Sequence, residues 1–242
     1  VHPARVDWTL VPGPHQPAQP PPSRASLEVP RVDLGELIRD AAEGRFPAAD
    51  GGFSRSTPWV PGVEAAVALT GHAVMVVDEH VTDGQLAALG VHGFGGAHDP
   101  RVAVALAGDG PINVLDVLLV GRGTGRGGPL VHRPDLAETD RAVHAGEWRD
   151  HVDVYGLPDP ASTALATLSL GIGGLPEVGI QAQGGDADVL LEGILGRLPA
   201  GDVLVASVTP GNARSLRFFL RHGFVPLGSE QLWKPSRLRP VV

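Results

Sequence analysis

"SVTPGNARSLRFFLRHGF", residues 207–224, carries the reading of the fold. Small and β-branched residues run up to Pro210-Gly211-Asn212, where no strand continues. Asn212 is a strong helix N-cap, since its side-chain oxygen can accept a free amide of the first turn. The stretch that follows reads as a helix to Gly223, where a glycine at C′ takes positive φ without steric cost. Phe218, Phe219 and Phe224 are expected in the core. With "DVLVASV" (202–208) before it and "FVPLGSEQLW" (224–233) after it, the run predicts strand–helix–strand.

Working upstream, "DADVLLEGILGRL" (186–198) predicts a helix with Asp at its N-terminal end. "VDVYGL", "ALATLSLGI" and "EVGIQAQ" predict three strands, and 135–151 a further helix. In the first half, Leu34–Glu43 has apolar residues at helical spacing. Residues 63–69 and 72–77 read as a hairpin across Thr70-Gly71. "TDGQLAALG" reads as a short helix capped by Thr82 or Asp83, and "INVLDVLLVG" as a strand. "PRVAVALAG" fits helix or strand equally. Residues 1–28 carry seven prolines and read as an extended arm or a tail without structure of its own. The expected organisation is therefore a Pro-rich tail (1–28), an N-terminal α/β half (29–134) and a C-terminal α/β domain (135–242).

Composition sets limits. No apolar run reaches the length of a membrane helix, and no basic region with an apolar core suggests a signal peptide. Cysteine is absent, which removes disulfides and thiolate chemistry and agrees with a cytoplasmic location. A formal net charge of −8 argues against a nucleic-acid footprint. Of 19 basic residues only Lys234 is lysine, a bias of GC-rich bacterial genomes. His72, His80, His92 and His98 lack the helical i, i+4 spacing of a zinc site, so no metal is expected. No Gly-x-Ser-x-Gly elbow supports a serine hydrolase.

The order from 135 onward, with Asn212, Ser215, Phe219, Gly223 and Phe224 in place, resembles the GNAT superfamily of N-acetyltransferases. The resemblance covers roughly 135–235. It implies a mixed α/β sheet flanked by helices, with two neighbouring strands splayed apart and acetyl-CoA lying between them. The strands would be 176–183 and 202–208, with the N-terminal half lending the first strand. It implies cofactor contacts from Ile180, Gln181 and Ala182 and from a pyrophosphate turn at Gly184, Gly185 and Ala187, with Asn212, Ser215 and Phe219 on the helix beyond. A helix N-terminus suits a pyrophosphate because its amides are free and its dipole end is positive.

Three departures from the family pattern bear on activity. Ala182 stands where the turn usually begins with Arg or Gln. Asp186 and Asp188 put acid where phosphate would dock, and an Asp cap would occupy the same amides. Phe219 stands where the family's acid is a Tyr, and Gln181 where a second acidic residue is common. Glu177 is the implied general base. "RGTGRG" (122–127) matches the phosphate pattern through Arg122, Gly125 and Gly127, but no helix follows, and it reads as a turn. Two functions follow: transfer of an acetyl group from acetyl-CoA to an unidentified amine, or a GNAT scaffold without catalysis that serves as a binding or structural module. A homodimer is compatible with either.

Overall fold

The computed structural model describes residues 29–182 and 185–238. The Pro-rich segment 1–28, Gln183, Gly184 and residues 239–242 lie outside the described residues. Ten strands form one mixed sheet: β1 (Phe53–Ser56), β2 (Glu64–Leu69), β3 (His72–Val76), β4 (Ile112–Arg122), β5 (Val131–His132), β6 (Asp150–Gly156), β7 (Leu165–Leu170), β8 (Pro176–Gln181), β9 (Val203–Val208) and β10 (Val225–Trp233). Their order across the sheet is β1-β3-β2-β10-β4-β9-β8-β7-β6-β5. The pairs β1–β3 and β8–β9 are parallel, and the rest are antiparallel. The mixed α/β class expected from the sequence is the class observed.

Helices cover both faces, which is why the central strands read as nearly continuous apolar runs. On one face, α1 (Leu34–Ala42) and Trp148 of α4 (Asp140–Trp148) pack on Val67, Leu118, Val120, Val205 and Leu232. Gly35 lets α1 lie close to the 172–174 turn, since a Cβ there would fall 2.5 Å from the Gly173 carbonyl oxygen. On the other face, α5 (Asp186–Arg197) and α6 (Ala213–Arg221) bury Leu190, Leu191, Ile194 and Phe219 against Leu119, Leu204 and Ala206. Further along that face, α2 (Asp83–Ala88) and α3 (Pro100–Ala107) pack on Ala66, Met75 and Trp233.

Strands from either side of residue 134 alternate at the centre of the sheet in the order β2, β10, β4, β9. The N-terminal half contributes the edge strand β5 beside β6 and also inserts β4 between β9 and β10.

Local differences from the sequence reading have physical causes. "PRVAVALAG" is helical because Asp99 accepts the Arg101 amide at 2.9 Å and Pro100 opens the first turn. The helix expected over 135–151 is shorter. A 3-10 turn occupies Pro134–Leu136, the chain restarts at Thr139, and α4 ends at Trp148. Strand β1 gives no periodic signal because "FSRS" is short and three of its four residues are polar. The "RGTGRG" turn closes α5 instead of holding an anion. Thr124, Gly125 and Gly127 donate their amides to the carbonyls of Leu195, Leu198 and Gly196. Arg122 donates to the Ala42 carbonyl at 2.8 Å and to Glu43 at 2.6 Å. Gly196 fits under this loop because a Cβ there would lie 1.8 Å from the Gly127 oxygen.

Candidate functional site

The strands β8 and β9 share a single register pair, Glu177↔Val205. Beyond it they diverge, while β8 keeps its full ladder with β7 from Leu165↔Gln181 to Leu170↔Pro176. The β9-facing edge of residues 178–182 therefore borders open space. A cavity of about 1140 Å³ fills the gap, lined by Val178 to Ala182 on one side and Ser207 to Thr209 on the other. Unpaired strand backbone at such an edge can bond an extended ligand as a further strand would.

Two helix N-termini face this space. Asn212 caps α6, its Oδ1 accepting the Ser215 amide at 3.1 Å, and both residues line the cavity. Cap and cavity wall are thus the same residue. Helix α5 opens after Gly185, and no side chain among the described residues caps it. The self-capping expected of Asp186 and Asp188 is not what the geometry shows. Asp188 turns to the end of α6 instead, where its Oδ1 lies 3.2 Å from Arg221 Nη2 and 2.9 Å from His222 Nε2. Ala187 and Asp188 line the cavity with Arg214 and Arg221. These two arginines, not singled out in the sequence, add positive charge to the cavity wall.

Of the other residues expected here, Ile180, Gln181 and Ala182 all reach the cavity wall. Gly185 begins the turn into α5, and Gly184 lies outside the described residues. Phe219 is 6% exposed and packs edge-on against Phe218 and Phe224, so it is core as well as wall. The only tyrosine, Tyr155, stands elsewhere on β6, with Arg197 stacked 4.2 Å over its ring.

At the narrow end of the splay sits a buried charged cluster on the α4 face. Glu177 is 3% exposed and ion-paired with Arg149, which follows α4. Its second oxygen faces the Ile172 amide at 3.4 Å. Gly171 makes room for it, since a Cβ there would fall 1.9 Å from Glu177 Oε2. Burial works against the charge of Arg149, but the carboxylates of Glu177, Glu230 and Asp116 more than offset it and raise its pKa. This pairing holds the buried Glu177 carboxyl in a fixed orientation, which suits positioning better than the proton acceptance expected of it.

Asp116 on β4 is 7% exposed and lines the cavity. Its Oδ1 accepts from Thr209 Oγ1 at 2.8 Å. Burial raises its pKa, and the Thr209 bond only partly counters that. Directly across the ladder from Asp116 is Glu230 of β10, 1% exposed. Neither carboxyl oxygen of Glu230 has a hydrogen-bond partner, nor does the buried Ser207 Oγ. Burial, then the charge of Glu177, pushes the Glu230 pKa up to about 8. Asp116 and Glu230 are not legible as site residues from the sequence. Each is a single acid within a strand, and only the register puts them face to face.

A second polar chain resembles catalytic machinery but is arranged for structure. His72 Nδ1 lies 2.9 Å from Asp50 Oδ1, and its Nε2 lies 2.8 Å from Ser54 Oγ. The order is that of a serine hydrolase, but the burial is reversed: Ser54 is 4% exposed, whereas the Asp50 side chain is 53% exposed. A nucleophile must meet substrate. Here the chain ties β1 to β3 and to the 50–52 turn.

Among the described residues no helix is long and apolar enough to cross a membrane. Comparisons of this chain with protein-family models, with curated proteins and with solved structures find no match.

Proposed function

We propose that the protein is an acyl-CoA-dependent N-acyltransferase, transferring an acetyl group from acetyl-CoA to an amine. The observation that carries this reading is the splay itself: a parallel strand pair that separates after one register pair and opens onto a cavity faced by two helix N-termini. A pantetheine arm is a chain of amides, and an unpaired strand edge is suited to bond it. The open start of α5, with Arg214 and Arg221 beside it, suits the phosphates. The ion pair of Asp188 with Arg221, and its contact with His222 Nε2, offset the repulsion that its carboxylate would exert.

On this reading Asp116 accepts the proton that the amine nitrogen loses as it attacks the thioester carbonyl. It reaches the cavity, and burial favours its protonated form. The Arg149–Glu177 pair holds the base of the splay at a fixed width. Calorimetric titration with acetyl-CoA tests the proposal: the expected result is saturable binding in the micromolar range, and no heat at millimolar ligand would overturn it. The same titration separates an enzyme from a scaffold that has lost its ligand.

Asn212 gives a sharper test, because capping and ligand contact fall on one side chain. Asn212→Ala is expected to cost about 1 kcal/mol of stability through the lost cap. It is also expected to reduce the rise in melting temperature that saturating CoA gives the wild type. If the ligand-induced rise is undiminished, Asn212 is a cap and nothing more.

A further inference from the structure

Resting on the acyl-transfer reading, we propose that the acyl acceptor is an amino acid, held by its carboxylate on Arg141 with its amine nitrogen toward Asp116. The cavity is lined from both faces of the sheet. On β8, Val178 and Ile180 pack with the apolar cluster under α5 and α6, whereas Glu177 lies on the α4 side beside Arg149. Gly179 shares the face of Glu177, Ser207 that of Val205, and Asp116 that of Leu118, because side chains two apart on a strand point the same way. The splay is therefore a passage through the sheet. With acetyl-CoA along the α5 and α6 side, the acceptor enters from the α4 side.

Gly179 is what lets Arg141 reach the opening. A Cβ there would fall 2.7 Å from Thr167 Oγ1 and 3.2 Å from Arg141 Cδ. The arginine stem thus lies across β8 just beyond Glu177, where the pairing with β9 ends. Among the described residues the Arg141 guanidinium has no ion pair and no hydrogen bond, and it lines the cavity. Asp140 beside it lines the cavity too but does not pair with it. Arg149 is engaged by Glu177, and His144, one turn on from Arg141, is kept neutral by burial and by the charges of Arg149 and Arg141. Arg141 is the cation left over for a ligand at this end. Enclosure in the cavity works against its charge, as does Arg149, and only Asp116 favours it. A carboxylate would relieve that cost, since a guanidinium forks it through two parallel hydrogen bonds.

Asp116 stands across the opening on β4, tied to Thr209 of β9. Between the two, on β9, the Ser207 hydroxyl is buried without a hydrogen-bond partner, a polar atom in the cavity wall that a ligand can satisfy. A cation on the β8 side and an acid on the β4 side match the two ends of an amino acid. Asp116 and Asp140 in the same wall oppose a dianion, which favours a carboxylate over a phosphate. In the reaction the amine nitrogen attacks the thioester carbonyl, the C–N bond forms, the C–S bond breaks, and the electron pair leaves on sulfur. The proton lost by nitrogen goes to Asp116 and on to solvent, and the thiolate takes a proton from solvent. The products are an N-acetyl amino acid and CoA.

The test compares wild type, Arg141→Gln and Arg141→Lys. Thiol release from acetyl-CoA is followed with the common L-amino acids, with isoamylamine and phenethylamine as the counterparts of leucine and phenylalanine without the carboxylate, and with phosphoethanolamine. Wild type should favour amino acid over counterpart in kcat/KM by about ten- to a hundredfold, the worth of a hydrogen bond to a charged group. In Arg141→Gln that preference should shrink to about threefold or less, chiefly through a raised KM for the amino acid. Arg141→Lys should keep part of it, because the charge stays and the fork is lost. Calorimetric binding of acetyl-CoA reports on the other face and should agree within about twofold across the three proteins. Equal use of amino acids and their counterparts by wild type, or an undiminished preference in Arg141→Gln, overturns the amino-acid acceptor and leaves acyl transfer standing. Acetyl-CoA binding with no amino acid acetylated, or a preference for phosphoethanolamine, overturns it in the same way. No acetyl-CoA binding by wild type overturns acyl transfer, and the acceptor class with it.

Discussion

Arg149→Met is expected to lower the melting temperature by about 6–20 °C, corresponding to a loss of about 3–5 kcal/mol. The reason is what the substitution leaves behind. Glu177 is 3% exposed, and its main partner is the Arg149 guanidinium. Remove the cation, and a buried carboxylate keeps one contact, a long one to the Ile172 amide. One comparison separates this from a simple packing loss. The double variant Arg149→Met with Glu177→Leu should recover most of the loss, since an apolar pair of similar volume in such a place is close to neutral. A double variant no more stable than the single one would mean that the ion pair is not the stabilising element. In acyl transfer the single variant should also weaken acetyl-CoA binding, because the pair sits where β8 and β9 part.

The strand–helix–strand at 202–233 is legible in the sequence because each of its boundaries is set by local chemistry: Pro-Gly before the helix, Asn212 at its cap, Gly223 at its end. The hairpin over 63–77 is legible for the same reason, its turn being Thr70-Gly71 with both residues at positive φ. The buried cluster is not. Arg149 and Glu177 are 28 residues apart, and Asp116 meets Glu230 only through the register of β4 and β10. Periodicity tells which residues of a strand share a face. It cannot tell which strand lies alongside when the neighbour comes from the other end of the chain. The insertion of β4 between β9 and β10 is such a case, and it supplies Asp116 to the cavity. The acid at the start of α5 misleads for a related reason. Asp188 reads as a cap or a repulsive charge because its partners, Arg221 and His222, are distant in sequence and close only in the fold.

The register that brings Glu230 opposite Asp116 depends on the far end of β10, and Trp233 holds that end. Its indole is fully buried, and Nε1 donates to Glu64 Oε2 at 3.0 Å. Glu64 is itself fully buried, accepts the Asp78 amide at 2.7 Å and pairs with Arg237. Trp233 faces Glu64 on β2 and Ile112 on β4, so it pins β10 between two strands of the N-terminal half. Trp233→Ala is expected to cost about 3–5 kcal/mol from the cavity alone. Leaving a Glu64 oxygen without its donor adds about 1–3 kcal/mol. Trp233→Phe should show only the smaller part, because the ring volume largely survives. Urea unfolding of the two variants checks the split.

A second readout links the anchor to the site. A one-residue slip of β10 would carry Glu230 to the opposite face of the sheet, away from Glu177 and Ser207. The Glu230 pKa is raised in the folded protein, to about 8 from 4.5, so its contribution to stability is fully present below pH 4.5 and is lost as pH rises to 8. If Trp233 sets the register, Trp233→Ala should lose the fall in stability between pH 5 and 8 that a buried, protonated Glu230 produces, whereas Trp233→Phe should retain it. Retention of that fall in both variants would mean that the ladder with β4 fixes the register without the indole. The anchor would then be a matter of stability alone.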